Sequence, residues 1–101
     1  MSVRWTRSAQ ISQGHFPEAI SWAKEAAGFV EKKYSLPPVS VWFDAFGKSG
    51  VIRWSIDFAD LGAVEKALGQ TLGDPDYHKL IAKAAPFFID GSTHDTVSKK
   101  L

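Results

Sequence analysis

Few residues in this 101-residue chain carry chemistry, and none falls in a motif of settled meaning. Three histidines, His15, His78 and His94, lie in a turn, a helix and a tail segment. They lack the H-E-x-x-H spacing that sets two imidazoles on one helix face. A metal would need them to converge with carboxylates from distant elements, so no metal site is expected. There is no cysteine, which excludes disulfides, thiolate zinc sites and thiol nucleophiles. No Ser-His-Asp arrangement is visible. Gly47-Lys48-Ser49-Gly50 has the wrong spacing for a phosphate loop and joins two antiparallel strands. No cofactor is expected. His15 remains as a ligand-facing candidate, because the turn after a first strand lies at the mouth of a pocket in an α+β sandwich.

Arg7 is the oddest residue. It falls on the otherwise apolar face of the first strand, with Val3, Trp5, Ala9 and Ile11. A buried guanidinium needs a partner, because an unpaired charge out of water is costly. Two readings stand: a structural one, snorkelling at the sheet edge or an internal ion pair, and a group that recognises an anion at the floor of a cleft between sheet and helices. Asp44 and Arg53 pair across a hairpin, fixing register and dimer contact or anchoring a ligand between sheets. Of the four tryptophans, Trp5 and Trp54 fill the space between sheet and helices, where a planar ligand can stack. Trp42 falls on the opposite face. The ligand-binding candidates are thus Arg7, His15 and Trp54.

These groups are held by one small domain spanning residues 1–101. Its 45% hydrophobic and 23% charged residues are an ordinary globular balance. A formal charge of +1 offers no basic stripe for nucleic acid. No segment approaches the roughly 20 apolar residues of a membrane span, and the N-terminus has no apolar targeting run. A cytoplasmic protein of bacterial source is expected.

The elements follow from periodicity. Val3 to Ser12 alternates like a strand. Pro17 opens a helix whose stripe is Ile20, Ala23, Ala27, Val30 and Tyr34, ending before Pro37. Trp22 and Phe29 fall on its flank. Val39–Phe46 and Val51–Phe58 form a hairpin. Setting Phe46 opposite Val51 pairs Phe43 with Trp54, Val41 with Ile56 and Asp44 with Arg53, an all-apolar face plus a cross-strand ion pair. Asp60 caps a helix bearing Leu61, Val64, Ala67, Leu68 and Leu72. Gly73-Asp74-Pro75 breaks it, and a second piece carries Tyr77, Leu80, Ile81 and Ala84. A weak strand near Asp95–Lys99 closes the chain.

The order β-α-β-β-α-β predicts an α+β, ferredoxin-like sandwich: an antiparallel four-stranded sheet, helices on one face, and strands one and three central. The bare face would carry Trp42, Phe46 and Val51, an apolar patch of the kind that marks a contact surface. A twin copy packed sheet to sheet would cover it. The expected partner is therefore a second copy of the chain, through Trp42, Asp44, Phe46, Val51 and Arg53, with no nucleic acid or membrane partner.

The Asp74-Pro75-Asp76-Tyr77 helix break, the following Leu80 and Ile81, and the Phe88-to-Asp95 tail with Gly91-Ser92 resemble the NIPSNAP-like branch of the dimeric α/β-barrel superfamily. Antibiotic-biosynthesis-monooxygenase-like domains belong to the same superfamily. The resemblance covers nearly the whole chain. It implies a ferredoxin-like protomer and a dimer formed through the sheets, but no single activity. Oxygen-using and haem-degrading members tend to use an Asn with Trp and His, and this sequence has no Asn. Three functions stay open: a dimer binding a small aromatic or acidic ligand between sheet and helices, a cofactor-free monooxygenase or isomerase acting on a polycyclic or quinone-like substrate, and a structural dimer without ligand.

Overall fold

The computed structural model describes residues 2–101. In chain order it contains β1 (Val3–Gln10), α1 (Phe16–Lys33), β2 (Val39–Phe43), β3 (Val51–Phe58), α2 (Leu61–Leu72), α3 (Pro75–Ala84) and β4 (His94–Lys99). A short 3-10 turn, Ala85–Phe87, follows α3. The sheet is antiparallel in the order β2-β3-β1-β4, which places β1 and β3 at the centre. This is the ferredoxin-like arrangement expected from the order of elements.

The caps read from sequence are present. Asp60 accepts a hydrogen bond from the Ala63 amide at 2.8 Å and opens α2. Asp74 accepts from the Asp76 amide at 2.9 Å and opens α3, with Pro75 at its first position. The second helix is therefore broken at Gly73–Pro75, because neither glycine nor the proline ring favours a continuous turn there.

The hairpin register differs from the expected one by two residues. Val39 faces Ile56, Val41 faces Trp54 and Phe43 faces Ile52. A shift of two leaves every side chain on its own face, so alternation alone could not detect it. The loop decides the register. Gly47 and Gly50 take left-handed φ values of +99° and +76°, and the last ladder bond runs from the Asp44 amide to the Val51 carbonyl at 3.0 Å. At Gly50 a Cβ would lie 3.1 Å from the Phe16 ring, which would have to give by a few tenths of an ångström. β2 consequently ends at Phe43 rather than Phe46. The Asp44–Arg53 pair survives as a diagonal contact, with bonds of 2.9 Å from Nε and Nη2 of Arg53.

A second correction concerns α1. Its buried residues are Ala19, Trp22, Ala23 and Ala27, whereas Ile20 is exposed. The inward face is rotated toward Trp22, which the hydrophobic spacing had placed on the flank. Alanines at 19, 23 and 27 let the helix approach the sheet closely, and the Trp22 ring fills the gap beside Trp54 and Phe88. Both buried indoles satisfy their N–H on helix carbonyls. Trp22 donates to Leu80 and Trp54 to Ala23, each at 3.1 Å. On α2 only Val64 and Ala67 are buried, while Leu61, Leu68 and Leu72 remain exposed. The core thus has two parts, one under α1 and α3 and one under α2.

Candidate functional site

Between the two parts of the core the side chains leave a space under the helices. The side chains facing inward from α1 and α2 include Ala26, Ala27 and Ala67, which are too short to fill the space above Trp5, Trp54 and Ile56. An apolar cleft of about 290 Å³ results. That is near the lower end of the volumes that hold small molecules. Leu68, Ile81 and Val97 stand partly exposed at its rim.

One end of the cleft is polar. Arg7 projects from β1 directly opposite Asp95 on β4. Its Nε and Nη2 donate to the two Asp95 oxygens at 2.7 and 2.8 Å, a bidentate fork. Nη1 donates to the Tyr77 hydroxyl of α3 at 3.0 Å. The guanidinium also lies 5.3 Å from the Trp5 ring centroid. Asp95 holds the Arg7 proton more firmly than usual, outweighing the effect of burial. Burial alone would push the Asp95 carboxyl up, yet the hydrogen bonds and charge of Arg7 hold it below the ordinary carboxylate value.

Arg7 therefore makes the internal ion pair that was one of its two sequence readings, and it does so at the wall of a cleft. Trp54 lies in the same cleft. His15 does not line it. It precedes α1 with its ring 5.8 Å from Phe87 and its Nδ1 3.5 Å from the Glu18 carboxylate. His78 contacts the Leu72 carbonyl through Nε2 at 2.8 Å, and His94 faces the other side of the sheet, opposite Ser8. Among the described residues no group of histidines and carboxylates could hold a metal ion.

Sequence reasoning missed Asp95 and Tyr77 as the partners of Arg7. A signal was present. On β4, Asp95 shares a face with Val97, so each of two edge-to-centre strands carries one charge on its apolar side. Charges of opposite sign placed that way in neighbouring strands pair.

Among the described residues no helix covers the opposite face of the sheet. Asp44, Phe46, Val51 and Arg53 meet there around a shallow depression of about 710 Å³. Trp42 is 56% exposed, and its indole donates to the Ser55 hydroxyl at 3.0 Å. Phe46 is 94% exposed, but it belongs to the loop and not to β2. Val51 departs from the expected exposed patch. It is buried within its own protomer, because the shifted register sets it between Gln10 of β1 and the Asp44 backbone. No helix among the described residues is long and apolar enough to cross a membrane.

Residues 6–100 match the model of the NIPSNAP family. Among curated proteins none matches. Solved structures share the fold at low identity. A NIPSNAP family protein from Agrobacterium tumefaciens superposes with a TM-score of 0.82 at 12% identity, over 100% of this chain and 94% of that one. A NIPSNAP-like domain protein from Burkholderia xenovorans gives 0.81 at 9% identity, over 99% and 85%. SnoaB from Streptomyces nogalater, a cofactor-independent oxygenase, gives 0.71 at 12% identity, over 98% and 92%.

Proposed function

Given that this chain belongs to the NIPSNAP family, we propose that it is a homodimeric, cytoplasmic binding protein for a small aromatic molecule, held in the cleft between sheet and helices. The observation that carries this reading is the cleft itself. An apolar space of about 290 Å³, walled by Trp5, Trp22 and Trp54, lies inside a domain of only 101 residues. Protein interiors are otherwise packed nearly as densely as organic crystals. Unfilled apolar volume destabilises a fold, so its persistence points to an occupant. The titratable groups lining it are Arg7, Tyr77 and Asp95, two of them locked to each other. That set suits recognition better than proton transfer.

Dimerisation is supported by shape and area. The protomer is a thin slab, 39 × 33 × 21 Å. It exposes 6497 Å², whereas a compact 11.1 kDa monomer exposes about 5,700 Å². The protomer is thus less compact than a monomer of that mass usually is. The bare sheet face, with Trp42 and Phe46, is the surface on which a second copy would close.

Naphthalene tests the cleft. It should quench the intrinsic tryptophan fluorescence saturably, because three of the four tryptophans line the site. Ala67→Leu, which extends a side chain into the space, should abolish saturable quenching while leaving the melting temperature within a few degrees. Unchanged quenching in that variant places the ligand elsewhere and ends the proposal.

A further inference from the structure

The polar end of the cleft constrains what kind of aromatic molecule the site accepts. The inference rests on the binding reading above and sharpens it. Arg7 and Asp95 neutralise each other through two short hydrogen bonds, so the cleft carries no net charge at that end. The donors and acceptors there do not balance. Both Asp95 oxygens already accept from Arg7. A guanidinium has five N–H groups, and three hydrogen bonds of Arg7 are accounted for by Asp95 and Tyr77. One N–H on each terminal nitrogen is left over. The Tyr77 oxygen accepts from Arg7, and none of the described residues accepts the Tyr77 hydroxyl proton. The other hydroxyl on the wall, Thr71, spends its proton on the Leu68 carbonyl at 2.9 Å.

We infer that the cleft selects neutral aromatic molecules bearing one hydrogen-bond acceptor, an aryl ketone or a quinone-like carbonyl, with the Tyr77 hydroxyl as the donor that orients the acceptor, and that it discriminates against aromatic carboxylates. The Asp95 carboxylate beside Arg7 cancels the attraction an anion would feel. A carboxylate entering an apolar space without a net countercharge loses more hydration than the leftover Arg7 N–H groups and the Tyr77 hydroxyl return. A carbonyl loses far less water, and a donor is waiting for it. A charge-assisted chain, Arg7 to Tyr77 to ligand, makes that donor stronger than an isolated phenol, because Arg7 withdraws electron density from the hydroxyl oxygen.

Three probes of one shape separate the possibilities: 2-acetylnaphthalene with a neutral acceptor, 2-naphthoate with a carboxylate, and 2-ethylnaphthalene with neither. Binding is read by tryptophan quenching on the full chain at neutral pH. The ketone should bind at least five-fold tighter than the ethyl compound and at least ten-fold tighter than the naphthoate. Tyr77→Phe should bring the ketone to the affinity of the ethyl compound and leave the ethyl compound unchanged within two-fold. Asp95→Asn, which leaves the Arg7 charge uncompensated, should reverse the order and favour naphthoate. A purely structural role for these residues would weaken all three probes together and would not invert the preference. Naphthoate binding as tightly as the ketone in the unmodified protein overturns the inference, as does a ketone preference that survives Tyr77→Phe. If the ethyl compound binds and the ketone gains nothing, the cleft reading stands and only the selectivity falls. If none of the three binds, both fall.

Discussion

Arg7 and Asp95 invite a double-mutant cycle with Arg7→Met and Asp95→Ala. Their charges lie about 4 Å apart, which at an effective dielectric of about 20 corresponds to roughly 4 kcal/mol of attraction. The side chains retain 26% and 37% of their exposure, so water screens much of that, and both groups lose hydration on pairing. Fully exposed pairs contribute about 0.2–1 kcal/mol, and stranding one member of a fully buried pair costs about 3–5 kcal/mol. This pair lies between those limits, and after discounting for screening we expect a coupling of about 1–2 kcal/mol. Asp95→Ala alone should be the worst of the three variants, because it strands a half-buried guanidinium against Trp5. Adding Arg7→Met should restore part of the loss, since methionine suits an apolar wall. Urea denaturation at pH 7 reads the coupling. In a domain of this size Asp95→Ala should lower the melting temperature by about 5–15 °C. The same cycle near pH 3 checks the cause. Asp95 is held below its unfolded-state value of about 4, so between the two values the unfolded chain binds the extra proton and stability rises with pH. The coupling is complete above pH 4 or so and is lost as pH falls through the folded value. A coupling below about 0.3 kcal/mol at pH 7, or one that does not shrink on acidification, refutes this account of the pair.

Two further outcomes follow from the geometry. Phe46→Asp together with Trp42→Arg places two charges on the bare sheet face, and light scattering should then give the mass of one chain where the unmodified protein gives two; an unmodified chain that is already monomeric at micromolar concentration refutes the assembly. At the C-terminus of α1, Lys33 and Tyr34 both contact Asp74, at 2.7 and 2.6 Å. They pull its carboxyl down to about 2, and burial with the same carboxylate pushes the Tyr34 hydroxyl up to about 12. The Asp74 contribution should therefore be lost as pH falls from about 4 toward 2, and the Tyr34 contribution as pH rises from about 10 toward 12. Asp74→Asn should flatten the acid limb of a pH–melting profile, and Tyr34→Phe should remove the late-titrating phenol from an ultraviolet titration.

The parts of the fold legible in sequence were those governed by local rules. Asp60 and Asp74 announce helix starts because their carboxylates satisfy free amides at either site whatever surrounds them. Val51–Phe58 announces itself because it is apolar on one face and central in the sheet. The errors lie where local rules are degenerate. A strand alternates with period two, so the hairpin could slide by two residues and leave the pattern intact, and Phe46 moved from strand to loop. On α1 the large apolar residues Phe16, Ile20, Trp22, Phe29 and Val30 are spread over about half the circumference, so hydrophobic spacing did not single out the face that meets the sheet. Trp22 settled it, through a hydrogen bond to a carbonyl 58 residues away in the chain. The cleft was legible only as Arg7, Trp5 and Trp54. The partners of Arg7 come from β4 and α3, and nothing local ties positions 7, 77 and 95 together until the sheet order is known.

The helices over the sheet are not equally restrained. α3 is laced to α1 along its length, by Lys33 and Tyr34 on Asp74, by Trp22 on the Leu80 carbonyl and by Lys83 on Glu25. For α2, among the described residues, the one side-chain hydrogen bond from another element is His78 to Leu72, at its very end. Its remaining hold on the domain is the oily contact of Val64 and Ala67, which has no directional preference. The cleft thus has one wall fixed by directed bonds and another, formed by α2, held between its two chain connections by apolar contact. The α2 wall is therefore the side on which the chamber yields at least cost to a larger occupant, while the Arg7 end is held by directed bonds.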